Sequence, residues 1–199
     1  MGAPTIETER LTLRGFVPQD TDAFTRVVAD KEVWRDLWGI PGLPTDLHGH
    51  AEWYVSSSIE SWRRSGYGFW SVWTRSPILT EMPELIGFCG FVNNSHARIH
   101  PPDGVELGWG LHPKFHKKGL AFEAAKETVE YGFRDLRIPK QVATTNPNNT
   151  ASRRLMERLG LSHVRLSGAH GCASVLYEIT REQFEELCRQ SVRISSQQG

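Results

Sequence analysis

Residues Val105 to Arg134, VELGWGLHPKFHKKGLAFEAAKETVEYGFR, decide how the rest of the chain is read. Val105, Leu107, Trp109 and Leu111 alternate with Glu106, Gly108, Gly110 and His112, the period-2 pattern of a half-buried strand. Two glycines on one face leave bare backbone, which suits close approach by a ligand or another backbone, or else marks a bulge that would break the parity. Further along, Ala121, Ala124, Ala125, Thr128, Val129, Gly132 and Phe133 recur at helical spacing, opposite Glu123, Lys126, Glu127, Glu130 and Arg134. One face of that helix is expected to pack on a sheet, and Glu130 with Arg134 forms a favourable i,i+4 pair.

Between strand and helix, Lys117, Lys118, Gly119, Leu120 and Ala121 are expected to present unpaired amide N–H groups at the positive end of the helix. Phosphate is the natural guest. An ordinary strand-to-helix turn with two solvated lysines remains the alternative on these residues alone. The dinucleotide fingerprint fails, because Pro113 stands where its third glycine belongs, and Gly119-Leu120-Ala121 does not match a Walker sequence. Nicotinamide and ATP chemistry are set aside accordingly.

The segment FHKKGLAFEAAK resembles the pyrophosphate-binding segment of the GNAT superfamily of acyl-CoA N-acyltransferases, Gln/Arg-x-x-Gly-x-Gly/Ala, with Gly119 and Ala121 on the small-residue positions. His116 stands where Gln or Arg is usual, and Lys117 where many relatives carry glycine. Asn149-Thr150-Ala151-Ser152 followed by Leu159-Gly160, and the opening Glu9-Arg10-Leu11-Thr12-Leu13-Arg14, are similar to the branch of ribosomal-protein serine/alanine N-acetyltransferases. The matches run in the family's order from Thr8 to Tyr177. The resemblance implies acetyl-CoA as cosubstrate, an amine acceptor, and a bond from Asn149 to the cofactor's amide arm.

Composition bounds these readings. A chain of 199 residues is long enough for one well-buried domain, taken here as 1–190 with a frayed tail at 191–199. Its 23 basic and 23 acidic residues balance, so the total charge favours neither nucleic acid nor a membrane surface as partner. Three widely spaced cysteines suggest no disulfide framework, and Cys89 reads as core. The N-terminus lacks an apolar signal run, which places the protein in a reducing cytoplasm. Eight histidines invite a metal, yet His48 and His50 are two apart and no HExxH occurs, so no metal is expected.

Taken in order, Leu11 and Leu13 mark a first strand, and Asp20 is placed to cap a helix with Phe24, Val27 and Val28 inward. A second helix is expected from about Thr45 to Arg64, closed by Gly66. Six of the seven tryptophans, Trp34, Trp38, Trp53, Trp62, Trp70 and Trp73, fall in this half. Core or dimer packing is preferred for each over an acceptor pocket, and a homodimer is compatible with their number. Strands follow at Gly68–Trp73, Leu85–Val92, Gln141–Thr145, around Val164 and at Val175–Ile179. Asn148 or Asn149 caps a helix with Ala151, Leu155, Met156 and Leu159 inward, and Thr180 with Gln183 forms a capping box for a last helix. The fold class is α+β: a GNAT-like, mostly antiparallel central sheet, helices on both faces, and a parallel pair at Val105 and Gln141. If that pair splays, a slot opens beside the phosphate turn.

Transfer of an acyl group from a thioester to an amine needs a fixed donor, an unprotonated amine and hydrogen-bond donors aimed at the developing oxyanion. Trp109, Gly110 and Leu111 are assigned to pantetheine by strand pairing, with a backbone N–H there polarising the carbonyl. Glu106 is the first choice for the base. As a strand-end carboxylate paired with a surface cation, it has a second reading of equal standing. Asp103, His100 and His170 are alternates. Met156 occupies the position where many relatives carry a tyrosine acid, and the resemblance points to Ser152 as substitute, against a plainer reading as a first-turn serine. A non-catalytic acyl-CoA sensor on the same fold is the competing function.

Overall fold

The computed structural model describes residues 2–33, 43–75, 77–92, 104–167 and 173–197. Eight strands, β1 (Ile6–Glu7), β2 (Leu11–Gly15), β3 (Phe69–Thr74), β4 (Leu85–Phe91), β5 (Val105–Leu111), β6 (Lys140–Thr145), β7 (Ser162–Ser167) and β8 (Ser174–Thr180), form one sheet in the order β1-β2-β3-β4-β5-β6-β8-β7. Every neighbouring pair is antiparallel except β5 and β6, whose parallel ladder joins Val105 to Gln141 and Glu106 to Val142. The helices are α1 (Thr21–Val28), α2 (Leu47–Ser65), α3 (Leu120–Arg134), α4 (Thr150–Arg158) and α5 (Arg181–Gln197). None of the described helices is long and apolar enough to cross a membrane.

The chain divides into two compact units, Met1–His96 with Leu107–Thr128, and Ala97–Glu106 with Val129–Gly199. In the first unit, Phe24, Val27 and Val28 of α1 and Ala51, Tyr54 and Val55 of α2 are buried with Phe88 of β4. Rings tile this core: Phe24 stacks on Tyr54 at 5.0 Å, and Phe69 meets Phe88 edge-on at 5.2 Å. The next residue along β4, Cys89, faces Thr128 of α3 across 3.2 Å. Consecutive strand residues point to opposite faces, so α1 and α2 lie on one side of the sheet here and α3 on the other.

The inward stripe read on α3 is observed, with Ala124, Ala125, Thr128, Val129 and Phe133 all buried. Trp62 and Trp70 are core residues 4.6 Å apart, whereas Trp53 is 47% exposed. Trp34 and Trp38 lie outside the described residues.

α2 is capped by Asp46, which accepts from the Gly49 N–H, and ends on Gly66 at φ +72°. Asp20 departs from expectation. It occupies the N-cap position of α1, but its buried carboxylate accepts Arg14 Nη1 and Nη2 at 2.8 and 2.7 Å and the Val17 N–H at 2.9 Å. A bidentate guanidinium outcompetes the helix amides for that carboxylate.

In the second unit β6, β8 and β7 pair antiparallel, and fully buried Gln141 donates from Nε2 to the Val129 carbonyl at 2.9 Å. Phe184 of α5 stacks on Phe133 at 4.7 Å. The capping box forms reciprocally, with the Thr180 N–H 2.8 Å from Gln183 Oε1 and the Gln183 N–H 3.3 Å from Thr180 Oγ1. Asn149, not Asn148, caps α4; Ala151 is exposed rather than inward, while Met156 and Leu159 are buried.

Candidate active site

The first unit carries eight of the residues singled out above: Trp109, Gly110 and Leu111 on β5, then Lys117, Lys118, Gly119, Leu120 and Ala121 in the turn and first helical residues. The β4–β5 register runs unbroken from Gly87↔Leu111 to Phe91↔Leu107, so β5 holds no bulge against β4. Gly108 has a different reason to be glycine: a Cβ there would sit 3.0 Å from the Phe69 ring. What approaches Gly108 is an aromatic side chain of the core.

After β5 the chain makes a 3-10 turn at Pro113–Phe115, and His116 reaches back. Its Nε2 lies 2.7 Å from the Leu111 carbonyl, which can only accept, so Nε2 carries the proton. The residue that stands in for Gln or Arg therefore staples the turn to the end of β5. Lys117 then adopts φ +59° and Gly119 φ +77°, both in the left-handed region. For lysine that conformation costs about 1 kcal/mol, a strain that glycine would not carry.

The consequence is a row of outward amides. Among the described residues the Lys117, Lys118 and Gly119 N–H groups make no backbone hydrogen bond of normal geometry, although the chain turns through His116 and Lys117. Those of Leu120 and Ala121 open α3, where the first N–H groups lack intrahelical partners. Gly119 O receives the Glu123 N–H at 3.1 Å, which starts the helix. Lys117 and Lys118 are exposed with no carboxylate partner among the described residues, and Lys118 Nζ stands 5.4 Å over the Phe115 ring. Successive N–H groups, a helix N-terminus and two uncompensated ammonium groups make a site suited to a diphosphate.

A further device here lies beyond sequence reading. Glu123, in the first turn of α3, accepts the Arg10 backbone N–H at 2.8 Å, Arg10 Nε at 2.7 Å and the Thr8 hydroxyl at 2.5 Å. Burial alone would raise its pKa, but these bonds and the Arg10 charge hold it below the usual glutamate value. Arg10 also donates from Nη1 to the Lys118 carbonyl at 2.9 Å. Partners more than 100 residues apart leave no local sequence signal; the Arg10 match to a strand motif was the available clue.

The second unit holds Glu106, Asn149 and Ser152. Glu106 is 5% exposed, and its Oε1 accepts the Thr144 hydroxyl at 2.6 Å. It is thus a buried carboxylate near the start of β5, hydrogen-bonded to Thr144 of β6. Asn149 Oδ1 accepts the Ser152 N–H at 3.0 Å, which leaves the Asn149 amide nitrogen for another acceptor. The Ser152 hydroxyl has no partner among the described residues, so its backbone, not its side chain, serves the cap. Met156 is 1% exposed and belongs to the core. Asp103, His100 and His170 lie outside the described residues. Among the described residues no cluster of His, Cys, Asp or Glu is arranged to hold a metal.

Residues 10–162 match the model of the acetyltransferase (GNAT) domain. N-acetyltransferase p20 of Bacillus licheniformis is 30% identical over 157 residues, covering 78% of this chain and 80% of that one. A GNAT-family acetyltransferase structure from Bacillus anthracis is similar with a TM-score of 0.71 and 25% identity, over 90% of this chain and 99% of that one. A ribosomal L7/L12 α-N-protein acetyltransferase in complex with coenzyme A shares the fold with a TM-score of 0.70 at 16% identity, over 89% of this chain and 98% of that one. With a domain match over residues 10–162 and a 30% identical relative aligned over most of both chains, the chain belongs to the GNAT acetyltransferase family and is an acetyl-CoA-dependent N-acetyltransferase.

Proposed function

We propose that the chain, acting as a single acetyltransferase domain, acetylates a primary amine, either of a small molecule or of a protein N-terminus, by direct attack on the thioester. The observation that carries this is the turn from Lys117 to Ala121, a left-handed backbone at a helix N-terminus beside two exposed lysines that have no carboxylate partner among the described residues. That turn holds the diphosphate. Trp109, Gly110 and Leu111 offer backbone to the pantetheine amides; the family resemblance assigns Asn149, whose amide nitrogen has no acceptor among the described residues, to the cofactor's amide arm.

When bound, the thioester supplies an acyl carbon to which the amine nitrogen bonds as the carbon–sulfur bond breaks. Glu106 takes the proton that an alkylammonium must lose near neutral pH, directly or through water. Thr144 orients its carboxylate. Ser152, whose hydroxyl is uncommitted among the described residues, donates a hydrogen bond to the departing thiolate and relays to it a proton taken up from water, a modest demand for a group of pKa about 8.5.

The test is thiol release on incubating the protein with acetyl-CoA and a panel of N-terminal peptides, polyamines, amino acids and amino-sugars. Acceptor-dependent release is expected for one class. Tight coenzyme A binding with silence across the whole panel would overturn the catalytic reading in favour of a sensor.

A further inference from the structure

We infer that Arg10 is a positioning residue for the diphosphate, holding the Lys118 carbonyl back so that the Gly119 N–H faces the anion. This rests on the reading of the Lys117–Ala121 turn as the diphosphate site. In a trans peptide the C=O and N–H point in opposite directions, so whatever fixes one fixes the other. Arg10 Nη1 sits 2.9 Å from Lys118 O. The Gly119 N–H of the same peptide unit is therefore turned away from Arg10.

Without that bond the unit has little to prevent its flipping. A flip changes ψ of Lys118 and φ of Gly119 together, and glycine tolerates either sign of φ. A flipped unit would aim a carbonyl oxygen at the anion. Arg10 is itself immobilised: its Nε and Nη2 lie 2.7 and 2.6 Å from Glu123 Oε2, and its backbone N–H lies 2.8 Å from Oε1. Thr8 adds its hydroxyl to the same carboxylate. Three nitrogens of Arg10 are thus committed to Glu123 and one to Lys118, which ties the approach to β2, the turn and the first turn of α3 into one rigid unit. Glu123 also neutralises the guanidinium, so the contribution of Arg10 is geometric rather than electrostatic.

Titration of the full-length wild type, Arg10→Lys, Arg10→Gln and Glu123→Ala with coenzyme A and with pantetheine, which lacks the diphosphate, tests this. Melting temperatures confirm that each variant is folded. Arg10→Lys keeps the charge but replaces a fork with one nitrogen that cannot occupy both positions. It is expected to bind coenzyme A about tenfold more weakly, with pantetheine unaffected, and to raise KM for acetyl-CoA while kcat holds. Glu123→Ala, which frees the cation, is expected to weaken coenzyme A binding as well. Arg10→Lys behaving as wild type, Glu123→Ala binding more tightly, or equal losses for both ligands would overturn the inference. A wild type that binds no coenzyme A would instead bring down the functional reading beneath it.

Discussion

The Thr144 hydroxyl lies 2.6 Å from Oε1 of Glu106, so the carboxylate buried at the head of β5 is oriented by a donor from β6. If Glu106 is the base, Glu106→Gln keeps the shape and removes the proton acceptor. The expected result is a fall in kcat of about a hundredfold or more, with affinity for coenzyme A unchanged. Thr144→Val should fall between the two, since it loosens the carboxylate without removing it. Steady-state kinetics beside calorimetric titration would check both, and full activity in Glu106→Gln would remove this residue from the mechanism.

Lys117 and Gly119 share the left-handed conformation but differ in what a substitution does. Gly119→Ala places a Cβ 3.6 Å from Arg10 Nη2, an ordinary contact, so the penalty comes from φ +77° and amounts to about 1–2 kcal/mol. Lys117→Gly relieves the same strain at φ +59° and offsets it against the greater freedom of glycine in the unfolded chain, for a net gain under about 1 kcal/mol. Thermal unfolding should show the first variant melting lower and the second at or slightly above wild type. Lys117→Gly also deletes a cation, and its coenzyme A affinity should lose part of its dependence on salt.

Periodicity located α3 and β5, the crossover between Val105 and Gln141 made their pair parallel, and the spacing of Thr180 and Gln183 announced a capping box that forms. Each of those signals is local or periodic. Asp20 does not cap α1 because a cap competes with any nearby guanidinium, and Arg14 wins. Ala151 is exposed despite its helical spacing, because spacing fixes a repeat but not the rotation of a short helix against its neighbours. Glu123 looked like a solvated face of α3, yet its partners come from Thr8 and Arg10, which only the folded chain brings alongside.

Burial pushes the Cys89 thiol up to about 12, against the opposing pull of the Thr128 hydroxyl and the Gly90 amide. At pH 8 only about one molecule in ten thousand would carry the reactive thiolate. In a Cys172→Ser, Cys188→Ser background, Cys89 should therefore resist a disulfide reagent in the native state and react at the rate of unfolding in denaturant. Labelling of the native protein as fast as an open thiol, levelling off above about pH 8.5, would contradict the packing of Cys89 against α3.

Glu123 gives the fold an acid-sensitive joint. Its folded pKa lies below the ordinary value of about 4.3, because the Thr8 and Arg10 bonds and the Arg10 charge outweigh the upward push of burial. A carboxyl with a depressed folded pKa stabilises the native state fully above its unfolded value. That contribution fades as pH falls below about 4.3 and is lost once pH passes the lower folded value. Glu123→Gln removes the titration while keeping much of the shape. Urea midpoints measured between pH 6 and pH 3 should thus fall further in wild type than in Glu123→Gln, with the two curves converging at the acid end. Parallel curves across that range would mean that the Arg10–Glu123 joint adds nothing to stability.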